Sequence, residues 1–312
     1  METYPDIRYL TNEEINFVKW DNCINNSHNG NIYAFSWYLD IISEDWEALI
    51  GDDYESVMPL MPSKKAGIPM IFTTYLANQL GVFSTNILSE EKVNAFIKKL
   101  SEVYKVFDVN LNKFNKVNPN LYRQKFVATY EFDIIGDYKT ITEGYSREIA
   151  DSIKKAEENN ISVVRGLLPN DFLGFSAQET TLSSVKLRNI DLTRLRRIIS
   201  FVMRHGLGEI YAAYGPPNEL VAAVFFLKSN RKINVLFSGV SKEGLQLNAL
   251  HKILDQYIEK YSGQNLTLSF ENLNVPDKAA FCKGFGGKEF YFSNVQYNNL
   301  SWHKKILYAL AP

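Results

Sequence analysis

At 312 residues the chain is about twice the length of a common domain. Its formal net charge of −1 leaves no global basic footprint of the kind that non-specific nucleic-acid binding requires. Hydrophobic residues at 46%, aromatics at 13% and charged residues at 22% describe a globular protein in which each half can bury a core of its own. The two cysteines, Cys23 and Cys282, lie far apart and outside any His or Asp cluster, so disulfide frameworks and zinc sites find no support. The first residues lack a basic start followed by an apolar core, and no apolar run approaches the roughly 20 residues of a membrane span. A soluble, cytoplasmic protein is expected.

In chain order, residues 11–24 open with Thr11 and early acids and place Ile15, Val18 and Trp20 on one apolar side, which predicts a capped amphipathic helix. FSWYLDIIS predicts a second, short helix. EALI and SVMPL read as strands joined by the turn GDDYE. The second half of the run 70–85 reads as a loop. Ser89, Glu90 and Glu91 begin a helix, because Val93, Phe96, Ile97, Leu100 and Val103 recur at helical spacing. FDVNL alternates at period two and predicts a strand, and after a polar connection FVATYEFDI predicts another.

A boundary near 136–145 divides the chain into expected domains 1–138 and 139–312. YSREIADSIKKAEENN is helical, with Ile149, Ile153 and Ala156 on one side, and ISVVR is a strand. Pro169 starts a helix that ends before Asn189. DLTRLRRIISFVMRHG is the next helix, with Asp191 as candidate N-cap and Gly206 as the stop.

Residues 209–286 then run through a strand (EIYAAY), a tight turn (GPPN), two strand-like runs (LVAAVFFL and KINVLF), a helix and a last strand. The helix carries the stripe Leu247, Leu250, Leu254, Tyr257, Ile258 and Tyr261. The same order occurs in 46–111. A shift of 164 puts Ala48 on Ala212, Gly51 on Gly215, Glu55 on Glu219, Val57 on Val221 and Ile71 on Val235. A shift of 159 puts Phe107, Val109 and Leu111 on Leu266, Leu268 and Phe270, and at 164 again Phe126 meets Phe290. So long a period indicates a duplicated domain rather than a solenoid, and each unit is α/β with a mixed sheet.

That order of elements resembles the GNAT acyltransferase fold. Two such units in tandem, together with NIYAFSWYLDIIS, the loop NQLGVFS, the linker helix YSREIADSIKKAEENNISV and the ending FCKGFGG, resemble the Fem-type aminoacyl transferases over nearly the whole chain. The resemblance implies two tandem GNAT-like domains, each a mixed, largely antiparallel sheet flanked by helices. It also implies an acyl group moved to an amine. The donor is acyl-coenzyme A in most GNAT enzymes; in Fem-type enzymes a charged tRNA gives its aminoacyl group to a cell-wall precursor. A metal is not implied.

The loop Ser238 to Asn248 joins a central strand to a helix N-terminus, where oriented amides favour an anion or a developing oxyanion. By analogy of position Ser238 is a catalytic candidate, and Val240, Ser241, Gly244, Gln246 and Asn248 are candidate carrier contacts. GNAT carrier loops usually show Arg or Gln followed by closely spaced glycines, whereas VSKEGLQLNA has Gly244 alone. Glu271 closes the strand LTLSF, where a carboxylate can take the proton of an attacking amine; the plain alternative is a solvated carboxylate or one paired with a neighbouring base. Many GNAT enzymes protonate a leaving thiolate with a Tyr. Phe281, Cys282, Lys283, Gly284 and Phe285 stand there instead, and a ribose hydroxyl leaving group needs no such phenol.

Trp37, Tyr38, Tyr75 and Gln79 lie in parts that the resemblance places near an acceptor groove, and aromatics with an amide suit a sugar or peptide; core packing is the plain alternative. Arg147 and Phe285 are further substrate-binding candidates. Lys186, Arg188, Arg194, Arg196, Arg197 and Arg204 against the single acid Asp191 give a local charge of +5, a patch for a phosphate-bearing ligand such as tRNA or simply a solvated face. Of the four His, only His251 lies near the loop, and it is expected on the helix surface. Phosphate-loop, dinucleotide and nucleophile-elbow motifs find no match. Two classes of function stay open: transfer of an acyl or aminoacyl group to a small-molecule or peptide amine, or binding of a peptide, glycan precursor or protein partner by a fold without chemistry.

Overall fold

Chain reversal at GDDYE is built into its backbone: Asp52, Asp53 and Tyr54 take positive φ of 48°, 51° and 74°, a region that Asp tolerates through local hydrogen bonding. A computed structural model describes residues 6–178 and 189–310. The chain divides into one unit of Met1–Ala128 with Tyr291–Pro312 and a second of Thr129–Phe290.

The first unit contains β1 (Ile7–Leu10), α1 (Phe17–Asn26), α2 (Ser36–Ile42), β2 (Glu47–Gly51), β3 (Ser56–Leu60), β4 (Pro62–Lys65), β5 (Ile68–Phe72), β6 (Phe83–Ser84), α3 (Glu90–Val103), β7 (Val106–Asn110) and the start of β8 (Arg123–Asp133). β1, β2, β3 and β6 form one antiparallel sheet in that order. β4 pairs antiparallel with β5, and β5 runs parallel to β7. The crossover between those parallel strands contains α3, which buries Val93, Phe96, Ile97 and Leu100 in a cluster with Leu49, Met58 and Phe107. Ser89 caps it, accepting from the Lys92 amide at 3.2 Å. Ser89→Ala is expected to cost about 1 kcal/mol, read as a lower urea midpoint at unchanged slope.

Residues 11–24 differ from expectation. Thr11 and Glu14 form a reciprocal capping box on a short 3-10 turn, and α1 starts later, capped by Asn16. Its packed face is Trp20, Cys23 and Ile24. Val18 is 73% exposed, since two residues along a helix turn the side chain about 200° from Trp20.

The second unit holds the rest of β8, α4 (Tyr138–Glu143), α5 (Arg147–Glu158), β9 (Ser162–Arg165), α6 (Pro169–Gln178), α7 (Asn189–His205), β10 (Gly208–Gly215), β11 (Glu219–Ser229), β12 (Lys232–Val240), α8 (Lys242–Gln246), α9 (Ala249–Tyr261), β13 (Thr267–Ser269) and α10 (Lys278–Gly284). β14 (Lys288–Asn298) leads back to the first unit, followed by α11 (Trp302–Leu310). The sheet order is β9, β10, β11, β12, β13, β8, antiparallel except for the parallel pair β12 and β13. α9 buries Leu250, Ile253, Leu254, Tyr257 and Ile258 among Tyr211, Val224, Phe226 and Val235, with Phe226 and Tyr257 stacked at 3.7 Å. Leu247 precedes α9 rather than belonging to its stripe. Asp191 lies inside the first turn of α7 rather than at its cap, and Gly206 ends α7 at φ +65°. The expected course of the helix from Pro169 beyond Gln178 falls outside the described residues, as do Lys186 and Arg188.

The sequence offsets can be set against the bounds of the elements. Adding 164 to Glu47–Gly51 gives 211–215, within β10; adding 159 to Glu90–Val103 gives 249–262, against α9; adding 164 to Arg123–Asp133 gives 287–297, against β14. The closing strands pair across this scheme. β14 pairs with β7 from Asn294↔Asn110 to Asn298↔Val106, and β8 pairs with β13 from Asp133↔Thr267 to Glu131↔Ser269. Each unit therefore takes its last strand from the other half of the sequence.

Candidate functional site

β12 and β13 run side by side only from Lys232↔Thr267 to Asn234↔Ser269. Past Asn234, β12 continues to Val240, while the chain after β13 turns into a loop. The Asn274 amide donates to Ser238 Oγ at 3.0 Å and ties that loop to β12. The Ser238 hydroxyl is buried and serves as a tether.

The turn from β12 into α8 uses its own amides. The Ser241 amide donates to the Val221 carbonyl at 2.9 Å, Ser241 Oγ accepts from the Gly244 amide at 3.0 Å, and the Leu245 amide donates to the Ser241 carbonyl at 3.0 Å. Gly244 is glycine for a packing reason: a Cβ there would stand 2.2 Å from the Val221 carbonyl oxygen and 3.1 Å from Val240 Cγ2. Val240 is a core residue, and Gln246 is exposed. Asn248 adopts a left-handed conformation (φ 58°) before α9 and makes no side-chain cap. No side chain caps α9, while the Asn248 carbonyl accepts from the His251 amide at 3.1 Å and the Lys252 amide at 3.4 Å.

Here a pocket of about 280 Å³ opens. Asn248 and His251 form one wall, Asp277 and Phe281 a second, and Ser146 and Glu148, at the start of α5, a third. Neither Lys nor Arg is among the described residues that line it. Ser146 and Asp277 cap their helices, accepting from the Ile149 amide at 3.3 Å and the Ala280 amide at 3.2 Å.

His251 corrects the expectation of a surface position. α10 covers the ring, which lies 4.8 Å from that of Phe281 and 6.3 Å from that of Phe285. Burial pushes its pKa down to about 4, and the Asn248 backbone offsets only part of this. Its Nδ1 is enclosed and makes no hydrogen bond among the described residues.

Glu271 follows β13 and is 8% exposed rather than solvated. The Lys278 ammonium donates to its main-chain carbonyl. Burial lowers the Lys278 pKa, against the opposing influence of Cys282 and Glu271. Glu271 does not line the pocket. Cys282 is a core thiol pushed up to about 12 by burial. Phe285 is fully buried, 5.1 Å from Tyr145 and 5.2 Å from Phe281. The Arg147 side chain is 95% exposed, with Nε 3.7 Å from Asp151.

In the first unit the structure brings the aromatic candidates together. The Tyr38 hydroxyl donates to the Leu76 carbonyl at 2.5 Å, the Trp37 and Tyr38 rings are 5.3 Å apart, and Asn31 Nδ2 donates to the Gln79 carbonyl at 3.4 Å. Tyr38 and Gln79 are core residues, and burial pushes the Tyr75 phenol up to about 12. On α7, Arg196, Arg197 and Arg204 are exposed, while Arg194 lies 4.0 Å from Asp191. Among the described residues no group of three His, Cys, Asp or Glu side chains could hold a metal, and no helix is long and apolar enough to cross a membrane.

The two units, with mixed, largely antiparallel sheets flanked by helices, make an α+β fold. No protein-family model and no curated protein matches the chain. Among solved structures the fold is similar to that of FemX, at a TM-score of 0.60 and 11% identity, covering 92% of this chain and 97% of that one. A conserved protein of unknown function from Bacteroides thetaiotaomicron gives 0.53 at 10% identity, covering 93% and 99%. The C-terminal DUF2156 domain of a protein named as a lysylphosphatidylglycerol synthetase from Agrobacterium fabrum gives 0.50 at 7% identity, covering 94% of each chain.

Proposed function

We propose that the protein is a Fem-like N-acyltransferase, which moves an acyl or aminoacyl group to an amine acceptor. The observation that carries this reading is the opening where β12 parts from β13 and α9 begins without a side-chain cap, in a FemX-like fold. The amine nitrogen attacks the acyl carbonyl, the C–N bond forms, and the C–O or C–S bond to the donor breaks. The nitrogen's proton passes to a base and on to the leaving oxygen or sulfur. Glu271 is the proposed base, and Ser238 holds the following loop through Asn274. Gly244 and Asn248 face the donor side, with Val240, Ser241 and Gln246 beside them. Of the candidate acceptor contacts, Tyr38, Gln79 and Phe285 are core residues and drop out; Trp37 and Tyr75 in the first unit and, separately, Arg147 in the second stay proposed.

Of the two donors, aminoacyl-tRNA is favoured over acyl-coenzyme A, because the pocket carries carboxylates and no cation while the neighbouring loop's amides are engaged. The exposed arginines of α7 are the proposed tRNA contact. The acceptor is a small-molecule or peptide amine such as a cell-wall precursor; the named activity of the Agrobacterium neighbour is compatible with a lipid one. A cytoplasmic location and an origin by duplication of 1–138 and 139–312 belong to the same reading.

Native mass spectrometry with acetyl-coenzyme A, free coenzyme A and a charged-tRNA pool tests it. Retention of charged tRNA, weakened by charge reversal at Arg196 and Arg197, is expected. With turnover established, Glu271→Gln is expected to slow it about hundredfold at unchanged donor binding; intact turnover would remove Glu271 from the scheme. The engaged amides at Ser241 and Gly244 favour a second reading, a non-catalytic binder of a peptide, glycan precursor or protein partner. Retention of neither donor would make that reading primary.

A further inference from the structure

The pocket beside α9 sits where the GNAT resemblance leads one to expect the carrier's phosphates, yet its chemistry has the opposite sign. Glu148 and Asp277 stand on its rim, and neither Lys nor Arg lines it. Helix N-termini favour anions, but each terminus carries only about half a charge. Ser146 already caps α5 and Asp277 caps α10. Each carboxylate carries a full charge, so a pyrophosphate would enter against two anions without a cation to meet it.

His251 supplies the second half of the argument. With Nδ1 enclosed beneath α10 and making no hydrogen bond among the described residues, Nε2 is the nitrogen through which the ring reaches the pocket. A neutral ring that carries its proton on Nδ1 leaves Nε2 with a lone pair. A neutral imidazole acceptor, two carboxylates and the face of Phe281 form a set that suits an N–H-rich cation.

We propose that this pocket binds a primary ammonium group, with Glu148 and Asp277 as counter-charges, His251 Nε2 accepting one N–H and the Phe281 ring as the apolar wall. About 280 Å³ accommodates an aliphatic amine of a few carbons. The inference rests on the proposed reaction for the source of that amine, either the α-amino group of an aminoacyl donor or the attacking amine of the acceptor, and not for the binding itself.

The test is a titration of the full chain, without donor, read on the imidazole C–H signals by NMR, with His251→Gln identifying the His251 signal. The probes are n-propylamine, propionate, inorganic pyrophosphate and alanine methyl ester. Propylamine is expected to shift the His251 signal saturably, and propionate and pyrophosphate to leave it in place. Glu148→Gln combined with Asp277→Ser, which retains a capping oxygen for α10, is expected to weaken the amine at least tenfold. Alanine methyl ester binding tenfold tighter than propylamine assigns the pocket to the aminoacyl donor; equal or weaker binding assigns it to the acceptor amine. A His251 signal that no amine moves, an anion that binds as well as propylamine, or unchanged affinity in the double variant overturns the proposal. Absence of turnover with every donor would sink the transferase reading while leaving this titration to be judged on its own.

Discussion

Gly244→Val is expected to destabilise the second unit by about 3 kcal/mol or more, and Gly244→Ala by about 1–3 kcal/mol, whatever ligand is present. The new Cβ would fall 2.2 Å from the Val221 carbonyl oxygen and 2.9 Å from its carbon. Neither atom can retreat easily, because β11 is paired on both sides and the same carbonyl accepts from the Ser241 amide. The outcome separates packing from ligand binding. Urea unfolding followed by circular dichroism reads the stability. A variant of normal stability that had lost donor binding would return Gly244 to the phosphate-cradling role that its position in a GNAT-like loop predicts.

As the pH falls from 6.5 to 4, the protein is expected to lose about 3 kcal/mol of stability through His251 alone. Folding lowers this pKa from 6.5 to about 4. Between those values the unfolded chain binds more protons than the folded one, so stability falls with the pH, by about 1.36 kcal/mol for each pH unit crossed. Above 6.5 the contribution is level, and near 4 its loss is complete. Asp255 works in the opposite direction, since burial raises its pKa despite the Tyr138 hydroxyl at 2.8 Å. The difference between the protein and His251→Gln isolates the imidazole. If both lose stability in parallel across that window, the ring is not held neutral by its surroundings.

Local signals in the sequence carry much of the fold. Periodicity places α3 and α9, and turn chemistry places the β2–β3 hairpin. The misreadings arise where a distant segment or the turn of the helix decides. Val18 reads as buried when it is grouped with Ile15 and Trp20, although a helix turns it about 200° from Trp20. His251 reads as exposed because a helical wheel cannot contain α10, which arrives some 30 residues later in the chain.

The site is less legible for the same reason. Glycine in a strand-to-helix turn signals either a phosphate cradle or close packing, and only the approach of Val221 decides between them. Glu271 has the address of a solvated strand end, yet Lys278 and the loop around it enclose it. A readable signal for the pocket does exist: Ser146 and Asp277 each stand three residues before the amide they cap, which marks the starts of α5 and α10. That these starts meet at α9 is a tertiary fact.

The pairing of β14 with β7 has a consequence for synthesis. Residues 129–290 form a contiguous unit that can close as soon as it leaves the ribosome, but the first unit lacks its final strand until residue 298 has emerged. Roughly 170 residues separate Ala128, where the first unit's opening segment ends, from residue 298, or about 10–30 s at cellular elongation rates. Through that interval one edge of β7 presents unpaired main-chain groups, the kind of template on which foreign strands add. The segment made first is thus the last to be completed, and a nascent chain of this protein depends on having that edge shielded until β14 arrives.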